Sequence, residues 1–287
     1  MRWKRARRSD NVVEARGSGA RRFGGGKGLS LGGVAVVVIV GLLMGQDPLQ
    51  ILAQLAGQTS SLGQPQAERP AANDEQLQFV RAILGDTEDT WRALFQSANR
   101  QYRDPTLVLF RGGINSACGF ASSAVGPFYC PGDRRVYLDL EFFRELEQRF
   151  AATGDFAQAY VIAHEVGHHV QTLLGVSAKV NAARQRGERM EGDSGLLVRQ
   201  ELQADCLAGV WAHHAQQRLD WLEPGDLEEA LNAANAIGDD RLQQQARGQV
   251  VPDSFTHGSS AQRMRWFNTG FEQGNVKRCD TFQSARL

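Results

Sequence analysis

His164, Glu165 and His168 stand in the order His-Glu-Val-Gly-His, inside Val161-Ile-Ala-His-Glu-Val-Gly-His-His-Val-Gln171. Two histidines four residues apart lie on one face of a helix. Both imidazoles then reach one zinc ion. Glu165 is rotated about 100° away, near enough to take a proton from a zinc-activated water. The chemistry this spacing offers is metal-assisted hydrolysis. The plainer alternative is a helix whose histidines only cap or hydrogen-bond. The flanks favour the metal. Asp155-Phe-Ala-Gln-Ala-Tyr-Val-Ile-Ala163 has the composition of a buried helix, with Asp155 as its N-cap and Gly175 as its stop.

A catalytic zinc has three protein ligands and one open position. An extended motif would need glycine at position 171 and histidine at position 174, where the chain has Gln171 and Leu174. A carboxylate from a later helix is the second option. Gln200-Glu-Leu-Gln-Ala-Asp-Cys-Leu-Ala-Gly209 holds Glu201 and Asp205, four apart on a face rich in small residues. Two acids facing a core need partners, because buried charge is costly. In this option Glu201 binds zinc, and Asp205 accepts the other ring N–H of a ligand histidine and fixes its tautomer. An ordinary solvated helix face is the competing explanation. A histidine from His213, His214 or His257 is the third option.

The elements that must hold these residues follow from the rest of the chain. Its 287 residues carry no net charge, but residues 1–27 hold nine Lys/Arg against Asp10 and Glu14. Gly28 to Gly45 contains no charge and, at about 1.5 Å per residue, just spans a bilayer core of about 30 Å. We therefore expect a basic cytoplasmic head over 1–27, a transmembrane helix over 28–46, a Gln/Ala/Gly/Ser/Pro-rich linker over 47–73 and one domain over 74–287. A cleaved signal peptide is disfavoured by the length of the head and the absence of a small-x-small site.

Within the domain, helices are expected over Asp74–Leu84, stopped by Gly85, and over Thr90–Asn99. Thr106–Phe110 and Val136–Leu140 read as strands of a hairpin. Helices follow over Glu141–Phe150, the histidine segment, Leu196–Arg218, from Asp226 with Glu229 set for a capping box, and from Ser259 or Ser260 to Phe271. Early strands and later helices give an α+β fold, mainly helical with a small sheet. Trp211, Trp221 and Trp266 should fill the core. The Val136–Leu140 strand offers a free edge for an extended peptide. The four cysteines follow the apolar stretch, where disulfides are permitted. Of three possible pairings, Cys118–Cys130 and Cys206–Cys279 are favoured.

His-Glu-x-x-His followed by Glu-x-x-x-Asp on a later helix resembles the gluzincin class of zinc peptidases. The wider chain resembles a bacterial family of membrane-anchored neutral zinc metallopeptidases. The resembling segments are Cys118-Gly119, Gly126–Pro131, Val136–Leu140, the histidine helix, Gln203–Cys206, Ala236–Asp240 and Thr256–Arg263. The resemblance implies a zincin-like domain, zinc at His164, His168 and Glu201, and a catalytic Glu165. The expected activity is metalloendopeptidase cleavage of a peptide or protein substrate, without nucleic acid. The expected place is the bacterial inner membrane, single-pass, with the N-terminus cytoplasmic and the domain periplasmic. A second electrophile should steady the oxyanion; His257 is the first candidate, with Tyr129 and Tyr137 behind it. His169 points off the ligand face and reads as supporting, and His213 and His214 as solvent-facing or packed. A non-cutting, zinc-stabilised scaffold is one rival. A cytoplasmic nucleic-acid binder using the basic head is another.

Overall fold

The computed structural model describes residues 1–15, 74–122, 125–150 and 153–287. A single 3-10 turn at Trp3–Arg5 precedes β1 (Val12–Glu14), and α1 spans Asp74–Ser97. Five strands follow: β2 (Thr106–Phe110), β3 (Gly113–Ser116), β4 (Gly119–Ser122), β5 (Phe128–Cys130) and β6 (Arg135–Asp139). Then come α2 (Leu140–Phe150), α3 (Asp155–Leu174), α4 (Val176–Gln185), α5 (Leu196–Leu219), α6 (Asp226–Ala236), α7 (Asp239–Arg247) and α8 (Ser260–Gln273). The fold is mainly helical α+β, as the order of elements implies. The short helices α4 and α7 and the small β3–β4 hairpin were not expected.

The main sheet has the order β1-β2-β6-β5, and β3–β4 form a separate antiparallel pair. β2 and β6 pair in parallel, Leu107 opposite Val136 and Leu109 opposite Leu138. The expected hairpin between them is thus corrected. The intervening strands supply the crossover that a parallel pair needs, and the hairpin partner of β6 is β5. The free edge expected at β6 is corrected with it. β6 is an inner strand with a nearly continuous buried run, as two-sided burial demands. β5 is the edge.

Residues 1–15 are part of the same folded unit as residues 74–287. β1 runs parallel to β2, with Val12 opposite Leu107 and Glu14 opposite Leu109. Trp3 is buried and meets Phe79 edge-on at 5.5 Å. Glu88, with no exposed surface, is bonded by Arg7 Nη2 at 2.5 Å, Ser9 Oγ at 2.6 Å and Asn11 Nδ2 at 2.7 Å. This corrects the expectation of a separate head for residues 1–15. It also explains Gly85, expected as a helix stop. α1 runs unbroken through it, and a Cβ there would lie 2.5 Å from the Arg7 carbonyl oxygen. The glycine admits the N-terminal backbone. The apolar stretch 28–46 and linker 47–73 lie outside the described residues. Among the described residues, no helix is long and apolar enough to cross a membrane.

α3 is buried on nearly every side. Its cap differs from expectation. Gly154 occupies the N-cap at φ 103°, and Glu229 of α6 accepts from Phe156 N at 3.0 Å. Glu229 therefore caps α3 rather than its own helix, and Asp155 is the first helical residue. Gly175 stops α3 in the left-handed conformation, φ 82°. α5 and α8 cross closely, since a Cβ on Gly209 would lie 2.1 Å from the Phe267 carbonyl oxygen. Trp211, Trp221 and Trp266 are buried. Both favoured disulfides are present, Cys118–Cys130 beside β5 and Cys206–Cys279 tying α5 to the tail.

Candidate metal centre

α3 and α5 bring His164, His168 and Glu201 to one point. Glu201 Oε2 lies 3.2 Å from His164 Nε2 and 3.4 Å from His168 Nε2. One ligand atom from each of the three lies within 4.8 Å of the others. For a tetrahedral zinc with bonds of about 2.0–2.1 Å, neighbouring ligand atoms sit roughly 3.3 Å apart. The two Glu201–imidazole spacings match that edge, so the residues fit the ion.

The far side of each ring is also fixed. His164 Nδ1–H donates to Asp205 Oδ1 at 2.7 Å. His168 Nδ1–H donates to Gln171 Oε1 at 2.9 Å, and the Gln171 amide in turn donates to Gln200 O at 2.7 Å and Gln203 Oε1 at 3.1 Å. Both Nε2 atoms therefore face the point on which Glu201 Oε2 also converges, the position a metal would take. Asp205 has no exposed surface and also accepts from Tyr160 OH at 2.5 Å and from Arg263 Nε and Nη2, each at 2.9 Å. Arg263 is itself buried, so this acid has the cation its burial requires.

Burial would raise the Glu201 carboxyl, but the facing His168 and His164 rings hold it well below the usual range. Burial likewise opposes charge on His164, yet Asp205 and Glu201 overcome it and push the ring up to about 10. His168 is raised against burial by Glu201. Burial would raise Asp205 too; Arg263 and His164 keep it low. Without metal the site attracts protons to the place a cation would take, so metal uptake displaces them.

Glu165 is buried at 8% but lines a groove of about 510 Å³. Its carboxylate has no hydrogen-bond partner among the described residues. Gly126, Phe128, Tyr129, Phe142 and His257 also line the groove. His257 Nδ1 lies 3.2 Å from Asp239 Oδ1, while Asp239 Oδ2 accepts the backbone N–H groups of Thr256, His257 and Gly258 at 2.7, 2.6 and 3.0 Å. The hydrogen bond to Asp239 raises the half-exposed His257 ring above its ordinary value. Its Nε2 has no partner among the described residues.

Other candidates fall elsewhere. Tyr137 donates to Asp133 at 2.7 Å in a small separate cluster, and lines no part of the groove. His213 and His214 bond Phe271 O and Gly274 O at the far end of α5. His169 is fully buried; it donates from Nε2 to Arg103 O at 2.6 Å and accepts from Tyr129 OH at 3.2 Å. Burial lowers its ring toward the neutral form. The residues that sequence reasoning missed are Gln171, Tyr160 and Arg263. Gln171 carried one usable signal, its place one turn beyond His168 on the ligand helix.

A His-His-Glu donor set beside an unpartnered carboxylate, opening on a groove, is the arrangement of a metal-dependent hydrolase. Comparison with known proteins agrees. A family model described as "Putative neutral zinc metallopeptidase" matches residues 1–282, and the chain belongs to that family. Uncharacterized protein YpfJ of Escherichia coli (strain K12) is 49% identical over 286 residues, 98% of this chain and 99% of YpfJ. Uncharacterized protein Mb2605 of Mycobacterium bovis is 41% identical over 258 residues, 86% of each chain. No solved structure matches the chain.

Proposed function

We propose that this protein is a zinc-dependent metalloendopeptidase in which His164, His168 and Glu201 hold the metal and Glu165 is the general base. The observation that carries the reading is the 3.2 and 3.4 Å spacing of Glu201 Oε2 from the two imidazole nitrogens, with Glu165 free beside it. When bound, zinc supplies a Lewis acid that makes water nucleophilic near neutral pH and polarises the scissile carbonyl. Glu165 takes the proton from the attacking water and delivers it to the leaving amine. Its lack of other partners leaves it free for both transfers. His257, held through Nδ1 by Asp239, offers an Nε2–H to the developing oxyanion. Asp205 and Gln171 keep the ligand rings in the tautomer that points Nε2 at the metal. The free edge of β5 supports an extended substrate by main-chain pairing.

Two disulfides favour an oxidising compartment for the domain. Attachment to the bacterial inner membrane rests on the apolar composition of residues 28–46. Residues 1–15 pack with the domain, so in this folded state both lie on one side of any membrane. The topology is therefore tested by whether residues 1–15 and the domain are reached from the same side of the membrane.

The test is the Glu165→Gln variant. It should bind zinc in the same ratio as wild type while cleavage of an unfolded protein falls by about 10²–10⁴. Cleavage that survives the substitution would refute the assignment. Intact zinc binding with no cleavage by wild type would leave a zinc-stabilised scaffold.

A further inference from the structure

A second cavity, of about 410 Å³, lies beside the catalytic groove, and its lining includes Arg100, Arg103, Arg134 and Thr172. Arg100 and Arg103 come from the loop between α1 and β2, and Arg134 from the turn between β5 and β6. All three arginines are exposed. None of their guanidinium groups has a hydrogen-bond or ion-pair partner among the described residues. Asp104 is paired with Arg92 at 2.9 and 2.5 Å; Asp133, bonded by neutral donors such as Tyr137 OH at 2.7 Å, keeps its charge, which leaves three cations against one acid. Three like charges around one concavity repel one another and raise its potential for anions.

Hydrogen bonds link residues lining the cavity to residues lining the groove. Thr172 Oγ1 lies 3.1 Å from the hydroxyl of Ser177, which lines the groove. Tyr129 lines the groove too, and its hydroxyl bonds His169, whose other nitrogen bonds Arg103 O. Thr172 is one turn past His168, roughly 6 Å along the axis. β5 is the edge strand, and the turn that follows it carries Arg134. A peptide lying along that edge advances about 3.4 Å per residue. The roughly 6 Å from His168 to Thr172 corresponds to about two such residues.

We propose that this cavity is a substrate subsite for a carboxylate, an acidic side chain or the peptide's own C-terminus, set two or three residues from the bond that is cut. The proposal rests on the peptidase reading and names what that site selects. It is tested on the full-length, zinc-loaded protein. Quenched fluorescent peptides carry Glu or Gln at each position within four residues of the cleaved bond, and each is made with a free or an amidated C-terminus. One acidic position, or the free C-terminus, should raise kcat/KM about tenfold, the scale of a charge-assisted hydrogen bond. Which pair of peptides differs identifies the source of the carboxylate.

Arg103→Gln with Arg134→Gln should abolish that preference and leave cleavage of the neutral, amidated peptide unchanged. Equal rates for all peptides, or a preference that survives the double substitution, would overturn the proposal. Calorimetric binding of the same peptides to the Glu165→Gln protein decides the matter apart from turnover. Tighter binding of the acidic member, lost with the two arginines, sustains the subsite even where no peptide is cut; equal binding ends it. Absence of all cleavage by wild type would count against the peptidase reading alone.

Discussion

Replacing Asp205 by asparagine separates two roles that one buried carboxylate combines. The carboxylate accepts from His164, Tyr160 and both arms of Arg263 and has no exposed surface. Asparagine keeps the shape but has one acceptor oxygen and one donor NH₂. If the oxygen faces Arg263, the NH₂ meets the donor Nδ1–H of His164; if it faces His164, the NH₂ meets the guanidinium. Either way Arg263, 2% exposed, loses its counter-charge. Orphaning a buried ion costs about 3–5 kcal/mol. At about 2–4 °C per kcal/mol for a domain of this size, Tm should fall by about 6–20 °C. The His164 ring loses the anion that fixes its tautomer, which should weaken zinc binding about 10–100-fold. Calorimetry of the zinc-free protein reads the first effect, and competition against a chelating dye reads the second. Adding Arg263→Met removes the stranded cation, so the double variant should regain part of the Tm but none of the zinc affinity. Zinc affinity within twofold of wild type in Asp205→Asn, or a Tm loss that the second substitution only deepens, would refute the reasoning.

Two further outcomes follow from charge and packing. His257 Nδ1 faces the Asp239 carboxylate at 3.2 Å and the Thr256 hydroxyl at 2.9 Å; with its Nδ1–H donating to the carboxylate, the ring carries a proton on Nε2 only as the cation. Turnover should therefore decline as pH rises through the His257 pKa, which the Asp239 hydrogen bond raises above the ordinary histidine value; His257→Ala should lower turnover, keep zinc and flatten that alkaline limb. The same pair contributes stability between the depressed Asp239 pKa and the raised His257 pKa. The histidine's share is lost as pH rises through its folded value and the aspartate's as pH falls through its own. For residues 1–15, maleimide labelling of Asp10→Cys and of Asp280→Cys in intact cells should agree, both labelled or both protected. Labelling of only one would show that β1 does not pair with β2 in the cell.

What could be read in the sequence was local or forced by a single rule. His164, Glu165 and His168 follow from helical spacing. Glu201 and Asp205 follow from the cost of two acids on a face otherwise suited to a core. Arg263 and Tyr160 carry no such mark. They meet 103 residues apart in sequence, at a junction of α3, α5 and α8 that exists only once those helices are packed. Gln171 was visible only as the residue that breaks an extended histidine motif. Its amide holds His168, a role that depends on the α5 residues it also bonds.

The N-terminus shows the same limit from the other side. Its charges were counted as a sum, which suggested a head apart from the domain. What decides its place is pairing. Glu88 sits in Asp86-Thr-Glu-Asp-Thr90, a polar stretch that falls between the helices expected over Asp74–Leu84 and Thr90–Asn99. In the fold it is fully buried, and a buried carboxylate demands donors. Arg7, Ser9 and Asn11 are those donors, 77 to 81 residues away. The rule that pointed to Asp205 thus also governs Glu88. It stayed silent there because nothing in the neighbourhood of Glu88 shows that β1 and Trp3 will cover it. Docking the N-terminal strand creates the burial that makes the ion pair necessary, and the ion pair in turn fixes the strand.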